Sequence, residues 1–210
     1  MTFEFVDRFL SLNCATDILK VVSPIKNMSK EISEAYTMLQ SVKKVVHPAD
    51  SNKYEVLDLC AGNGLLGVTL AHVMNFKSVT SMDIRVPGRK WEDVRTYSYL
   101  EKDIHTLQRH EVEGKVIVAN HPCQRASHVV DLFCKFDAKA VVIMPCCVGQ
   151  LKSRPEHITK QFGKYGAWCM DLYDTIGDWS VGKGQTINAR IYENKHCLSP
   201  KNVTIVAWRY

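Results

Sequence analysis

Residues 56–67 read VLDLCAGNGLLG. The segment puts a carboxylate, Asp58, at the end of an apolar strand, then a tight glycine-containing loop, then a helix. Gly62 and Gly64 carry no side chain, so the backbone there can approach a ligand closely. The open end of a strand beside a helix N-terminus makes a nucleotide-sized site. The spacing is not G-x-G-x-x-G, and a loop that opens on Asp58 is poorly suited to cradling phosphate. Nineteen residues beyond Gly64, Asp83 closes the next apolar run in SMDIR. A carboxylate there suits the two hydroxyls of a ribose, because it can accept two hydrogen bonds. Asp103, in LEKDI, closes the run after that.

Outward from this segment, strand and helix patterns alternate. YEVLDL (54–59) is followed by the helical LLGVTLAHVM (65–74), then by SVTSMDI (78–84) and RTYSYLEKDI (95–104) as strands. KVIVAN (115–120), the helical SHVVDLFCKF (127–136) and AKAVVIMP (138–145) continue the order. This alternation predicts a parallel sheet with crossover helices. KVIVA and AVVIM are apolar throughout, as in strands buried on both faces. A helix is expected over 155–179. INARIYE (187–193) and VTIVAW (203–208), joined by a short connection, read as two final strands.

Ahead of the first strand, residues 3–22 carry Phe5, Phe9, Leu12, Ile18 and Leu19 at helical spacing. Pro24 interrupts. A second helix is expected over 29–46, capped by Ser29, with HPADSN (47–52) as a loop. The expected organisation is an N-terminal helical extension, 1–50, and an α/β domain, 51–210. Hydrophobic residues make up 46% of the 210, enough for a full core. The formal charge of +5 is compatible with a nucleic-acid partner. The start is acidic and amphipathic, without the apolar run of a signal peptide. No run reaches the roughly 18 apolar residues of a membrane span. With eight scattered cysteines, the expectation is a reduced, intracellular, cytoplasmic protein with no membrane partner.

DLCAGNG, MDI, EKDI and VIVANHP, in this order, resemble the successive motifs of class I S-adenosylmethionine-dependent methyltransferases. The resemblance covers about residues 54–148 and extends towards 208. It implies a seven-stranded, doubly wound, mostly parallel sheet whose last two strands pair antiparallel. It implies S-adenosylmethionine as cofactor. The loop of Asp58, Cys60, Ala61, Gly62, Asn63 and Gly64 would hold the methionine part. Asp83 with Ile84 would hold the ribose, Asp103 with Ile104 the adenine, and Asn120 would meet the methyl group.

VIVANHPCQRASHVVDLF (116–133) carries the acceptor chemistry, and three readings compete. Base amino methylation would place an aromatic residue after the second proline position, where this chain has Cys123. Cytosine C5 methylation needs a thiolate nucleophile. Pro122-Cys123-Gln124 resembles that motif, with Cys146 or Cys147 where the RNA enzymes carry a second cysteine. His121-x-Cys123 combined with Cys146-Cys147 is similar to a third branch. That branch holds the tRNA acceptor-stem 2′-O-methyltransferases, the glutathione-S-transferase-C-terminal-domain protein and the methyltransferase-like-25 group. Ser29-Lys30-Glu31 and LSPKN (198–202) also resemble it. Gln124 replaces that branch's glycine, and Val148-Gly149 follow the cysteine pair in place of a nearby histidine.

These likenesses imply methyl transfer to nucleic acid, RNA rather than DNA, with His121, Asn120, Cys123, Cys146 and Cys147 as catalytic candidates. For a ribose hydroxyl, His121 is the candidate general base. A non-catalytic assembly subunit of the same fold, with a protein partner at the N-terminal helices, is the rival reading. His121, Cys123, Cys146 and Cys147 are four soft ligands near one another. Adjacent cysteines and the lack of C-x₂-C spacing speak against zinc, so no metal is expected. Cys14, Cys60, Cys134 and Cys169 are expected to pack in the core. Arg85, Arg89, Lys90, Lys152, Arg154, Lys160 and Lys164 are candidates for a basic rim. GDWSVGKGQT (177–186) is expected to be a loop with an exposed Trp179.

Overall fold

A computed structural model of the protein describes residues 3–89, 91–151 and 156–210. Seven α-helices and seven strands, with short 3₁₀ helices between them, follow one another along these residues. Helices α1 (Glu4–Leu10), α2 (Ala15–Val22) and α3 (Met28–Val45) precede β1 (Glu55–Leu59). Then come α4 (Leu65–Val73), β2 (Ser78–Asp83), β3 (Tyr97–Glu101), α5 (Arg109–Val112), β4 (Val116–Asn120) and α6 (Ala126–Lys135). The chain closes with β5 (Ala140–Met144), α7 (Glu156–Lys183), β6 (Ile187–Glu193) and β7 (Val203–Arg209).

The strands form one sheet in the order β3-β2-β1-β4-β5-β7-β6. Strands β1 to β5 pair parallel, and β7 runs antiparallel between β5 and β6. This is the seven-stranded α/β sheet that the alternation of patterns predicts. The order reverses between β1 and β4, so the carboxyl ends of β1 and β4 diverge around a crevice. Every residue of β5 is buried, because helices cover both faces of the sheet. On one face α1 to α4 pack in an apolar cluster with Val56, Val118, Val142 and Val206. On the other, α6 and α7 pack with Leu57, Ile117, Val141 and Ile205. The N-terminal helices therefore share a core with the sheet.

Several boundaries differ from the sequence expectation. The stretch 3–22 is two helices, broken at 11–14, where Ser11 bonds back to the Arg8 carbonyl (2.8 Å). Short polar side chains there compete for the backbone and interrupt the helix. α3 begins one residue before Ser29 and is preceded by Asn27 at φ 57°, a conformation that Asn tolerates. Residues 48–53 form a 3₁₀ helix rather than a loop, opened by Pro48. The helix at 156–183 is interrupted at Gly163 (φ 68°) and runs through most of the expected 177–186 loop. Trp179, half-buried against the second core, supplies the packing that outweighs the helix-breaking cost of Gly177 and Gly182. No helix among the described residues is long and apolar enough to cross a membrane.

Inside α3, buried Thr37 and Ser41 donate to the carbonyls of Ser33 and Thr37, four residues back (2.7 and 2.8 Å). Ser33 Oγ accepts the Leu198 N–H at 2.8 Å, which ties α3 to the connection between β6 and β7. That tie sets the position of Glu31 and Glu34 on the same helix.

Candidate active site

The carboxyl ends of β1, β2 and β4, with α3 beside them, enclose a cavity of about 490 Å³. Asp58, Cys60, Ala61, Gly62, Asn63, Asp83, Ile84, Asp103, Ile104, Asn120, His121 and Cys123 all line it. These residues come from four separate stretches, brought together by the parallel register of the strands. Gly64 is not among the lining residues. It precedes α4 at φ 76°, and a side chain there would meet Tyr97 Oη at 2.7 Å and Trp91 at 2.8 Å. Its role is to let these two rings pack behind the loop. Cys146 and Cys147 also lie outside the lining.

Asp58 is buried and anchors the loop. Its Oδ2 accepts from the Ser81 hydroxyl (2.7 Å) and the Gly67 N–H (3.1 Å). Burial pushes the carboxyl up to about 7, against the pull of these two hydrogen bonds. A raised carboxyl holds its proton in the folded state between about pH 4 and pH 7, where the unfolded chain has released it. Its contribution to stability is therefore present below the unfolded value and is lost as the pH rises through about 7. Melting temperatures of wild type and Asp58→Asn measured from pH 4 to 8 should show this directly. The wild type is expected to lose on the order of a few kcal/mol relative to the variant across that range. Parallel profiles would contradict the assignment.

Asp83 bridges two backbone groups. Oδ2 accepts the Gly62 N–H (3.1 Å) and Oδ1 the Arg85 N–H (3.2 Å). Each oxygen keeps a further lone pair for a ligand hydroxyl. Asp103 caps a short 3₁₀ turn by accepting the His105 N–H (3.0 Å), with Ile104 buried beside it. Tyr99 closes over the loop, its hydroxyl donating to the Gly62 carbonyl (2.7 Å) while its ring stacks on Trp91.

After Asn120 the backbone turns sharply. His121 (φ 54°) and Cys123 (φ 49°) both lie in the left-handed region. Such strain persists only where the surroundings hold it, often at functional sites. The His121 N–H is bonded to the Met144 carbonyl (2.9 Å), which fixes the turn to the end of β5. The His121 ring packs between Nδ1 to Glu34 Oε1 (3.5 Å) and Nε2 to the Lys201 carbonyl (3.2 Å). Burial pushes its pKa below the ordinary histidine value, so the ring is neutral near pH 7.

Sequence reading missed one wall of the site. Glu31 and Glu34, one turn apart on α3, line the cavity. Burial, then the neighbouring Glu34, raises the Glu31 carboxyl, and Asn63 Nδ2 lies 3.4 Å from Glu31 Oε2. The available signal was an acidic residue, Glu34, set within the buried stripe of α3 between Ile32 and Ala35. Arg85, Lys102, Gln124 and Arg125 also line the cavity. Of the expected basic rim, Arg85 is exposed at the cavity, whereas Arg89 is held by the carbonyls of Ser23 and Pro24. Lys160 pairs with Glu156 (3.0 Å), away from the cavity. Lys90, Lys152 and Arg154 lie outside the described residues. Among the cysteines expected to pack in the core, Cys134 and Cys169 are buried, while Cys60 lines the cavity with its thiol pushed up to about 12 by burial.

With this geometry in place, comparison with known proteins identifies the family. Residues 28–154 match the family model described as "Methyltransferase domain". The chain belongs to the methyltransferase-domain family. The match begins at the first residue of α3, so the helix carrying Glu31 and Glu34 lies within it. No curated protein matches the methyltransferase in sequence. Its fold is similar to that of the magnesium protoporphyrin IX methyltransferase ChlM from Synechocystis PCC 6803 with bound SAH. The identity is 15% and the TM-score 0.55, over 99% of this chain and 100% of that one. It is similar also to the plantazolicin methyltransferase BpumL in complex with SAH (9%, TM-score 0.52, 99% and 95% covered). A fibrillarin/Nop5p complex matches over 84% of this chain and 81% of that one (15%, TM-score 0.52). Likeness at these identities establishes the class I methyltransferase fold.

The cofactor of this methyltransferase is S-adenosylmethionine, and the cavity's chemistry fits it. The group is cationic at sulfur and ammonium and carries hydroxyl donors. The lining offers the carboxyl groups of Glu31, Asp83 and Asp103. Buried Asp58 Oδ1 and Asn120 Oδ1 have no hydrogen-bond partner among the described residues. An added side-chain carbon at Gly62 would meet nothing within 4 Å, so the loop leaves open space for a ligand.

Proposed function

We propose that the protein transfers the methyl group of S-adenosylmethionine to an RNA. The observation that carries this reading is the mixed lining of one cavity. The carboxyl groups and Asn120 suit the cofactor, and Arg85 and Arg125 suit the phosphates of a polynucleotide, whereas Lys102 is paired with Glu111. The chain's charge of +5 favours the approach of a polyanion.

The cofactor supplies an activated methyl group. The protein's contribution is positioning, water exclusion and removal of a proton from the acceptor hydroxyl. His121 is the proposed base. Its neutral ring donates Nε2–H to the Lys201 carbonyl and leaves the Nδ1 lone pair to take the proton. Glu34, 3.5 Å from Nδ1, is placed to stabilise the imidazolium that results. His121→Ala is expected to lower kcat by about 10²- to 10⁴-fold with the affinity for S-adenosylhomocysteine unchanged. Because burial lowers the ring's pKa, the wild-type kcat should hold its plateau below pH 6.5 and fall only at more acidic values. Full turnover by His121→Ala would remove the base role.

Cys146 is disfavoured as a cytosine nucleophile. Burial and its two neighbouring thiols push it up to about 12, so it carries little thiolate near neutrality. The test of the acceptor is transfer of labelled methyl groups to total RNA, with DNA and protein pools in parallel. Label in RNA is expected. Label in another pool alone would overturn the RNA assignment. Cofactor binding without label in any pool would favour the assembly-subunit reading.

A further inference from the structure

We infer that Cys123, Cys146 and Cys147 form a three-thiolate site for a single zinc ion. The pairing of β4 with β5 builds the cluster. Asn120 lies opposite Met144 in register, so the chain just past each strand end brings Cys123 beside Cys146. Cys146 Sγ is 3.6 Å from Cys123 Sγ and 3.5 Å from Cys147 Sγ, and all three sulfurs lie within 4.8 Å of one another. Sulfurs at those separations share a centre about 2 to 2.4 Å from each, against a Zn–S bond of about 2.3 Å.

The adjacency of Cys146 and Cys147 is one of the two sequence features that speak against a metal, beside the lack of C-x₂-C spacing. The backbone after β5 directs both sulfurs to one point, which removes that objection. Cys123 and Cys147 are exposed, so they do not pack as small apolar groups, and they leave the ion open to solvent. His121 is not a fourth ligand: among the described residues, the ligand atoms within 4.8 Å of one another are the three sulfurs. Three protein ligands leave one position for water or an acceptor atom, as in catalytic zinc sites. Cys123 also lines the cavity, which puts the ion at its edge.

The site is tested by titrating reduced, chelator-stripped protein with Co²⁺ and then displacing it with Zn²⁺. This readout is independent of methyl transfer. One Co²⁺ per chain is expected, with thiolate-to-metal charge-transfer absorption that Zn²⁺ abolishes. Cys147→Ser and Cys123→Ser should each weaken uptake tenfold or more and lower the absorption per ion. Cys14→Ser, outside the cluster, should match wild type. Circular dichroism of Cys147→Ser confirms that the variant folds. No charge-transfer band in the wild type, or an unchanged band in both cluster variants, would overturn the site.

Discussion

Gly67→Ala is expected to cost about 3–5 kcal/mol of stability, the sum of an overpacked core position and a damaged buried hydrogen-bond network. Gly67 lies in the first turn of α4, directly against β2. An added side-chain carbon would sit 2.2 Å from Ser81 Oγ, 2.8 Å from Tyr97 Cε2 and 2.9 Å from Asp58 Oδ2. None of these atoms is the free end of a flexible chain. Ser81 is fully buried and donates to Asp58, and Asp58 accepts from Gly67's own N–H. Moving Ser81 leaves the buried Asp58 carboxyl short of a partner, and moving α4 breaks the Gly67–Asp58 bond. For a chain of this size the loss corresponds to a melting temperature lower by about 10 °C. Gly62→Ala is the comparison. Its added carbon meets nothing within 4 Å, and only its φ of 56° opposes it, at about 1–2 kcal/mol. Scanning calorimetry decides the order. A Gly67→Ala loss no larger than that of Gly62→Ala would refute the packing account.

Asp83→Ala should weaken binding of S-adenosylmethionine and S-adenosylhomocysteine by ten- to a hundredfold in calorimetric titration. Hydrogen bonds to a charged group contribute about 1.5–3 kcal/mol each, and tenfold in affinity is about 1.4 kcal/mol. The carboxyl group has two tasks. It holds the loop by accepting from Gly62 and Arg85, and its remaining lone pairs are those proposed for the ribose. Asp83→Asn retains the volume and one acceptor oxygen, so its loss should be smaller than that of Asp83→Ala. Unchanged affinity in Asp83→Ala would sink the ribose assignment and with it the cofactor orientation. Neither Asp83 nor Gly67 touches the three thiols, so failure of these results leaves the metal test standing.

The order of elements, and the strand-end residues that line the cavity, were legible in the sequence by itself. Both rest on short-range pattern. Apolar runs such as AVVIM mark strands buried on both faces, and Asp58, Asp83 and Asp103 each stand near a strand end, where a parallel sheet gathers them. Three features were settled only by tertiary structure. Glu31 and Glu34 became a wall of the site because α3 docks beside the ends of β1 and β4, and a helical pattern does not record what its buried face meets. The 177–186 segment became helix and turn because Trp179 found the second core, a long-range contact that outweighs two glycines. Finally, the three thiols converge because β4 pairs with β5 in one register and the chain beyond each strand turns inward. Cys123 and Cys146 are 23 residues apart in the chain, and only strand pairing brings such residues together.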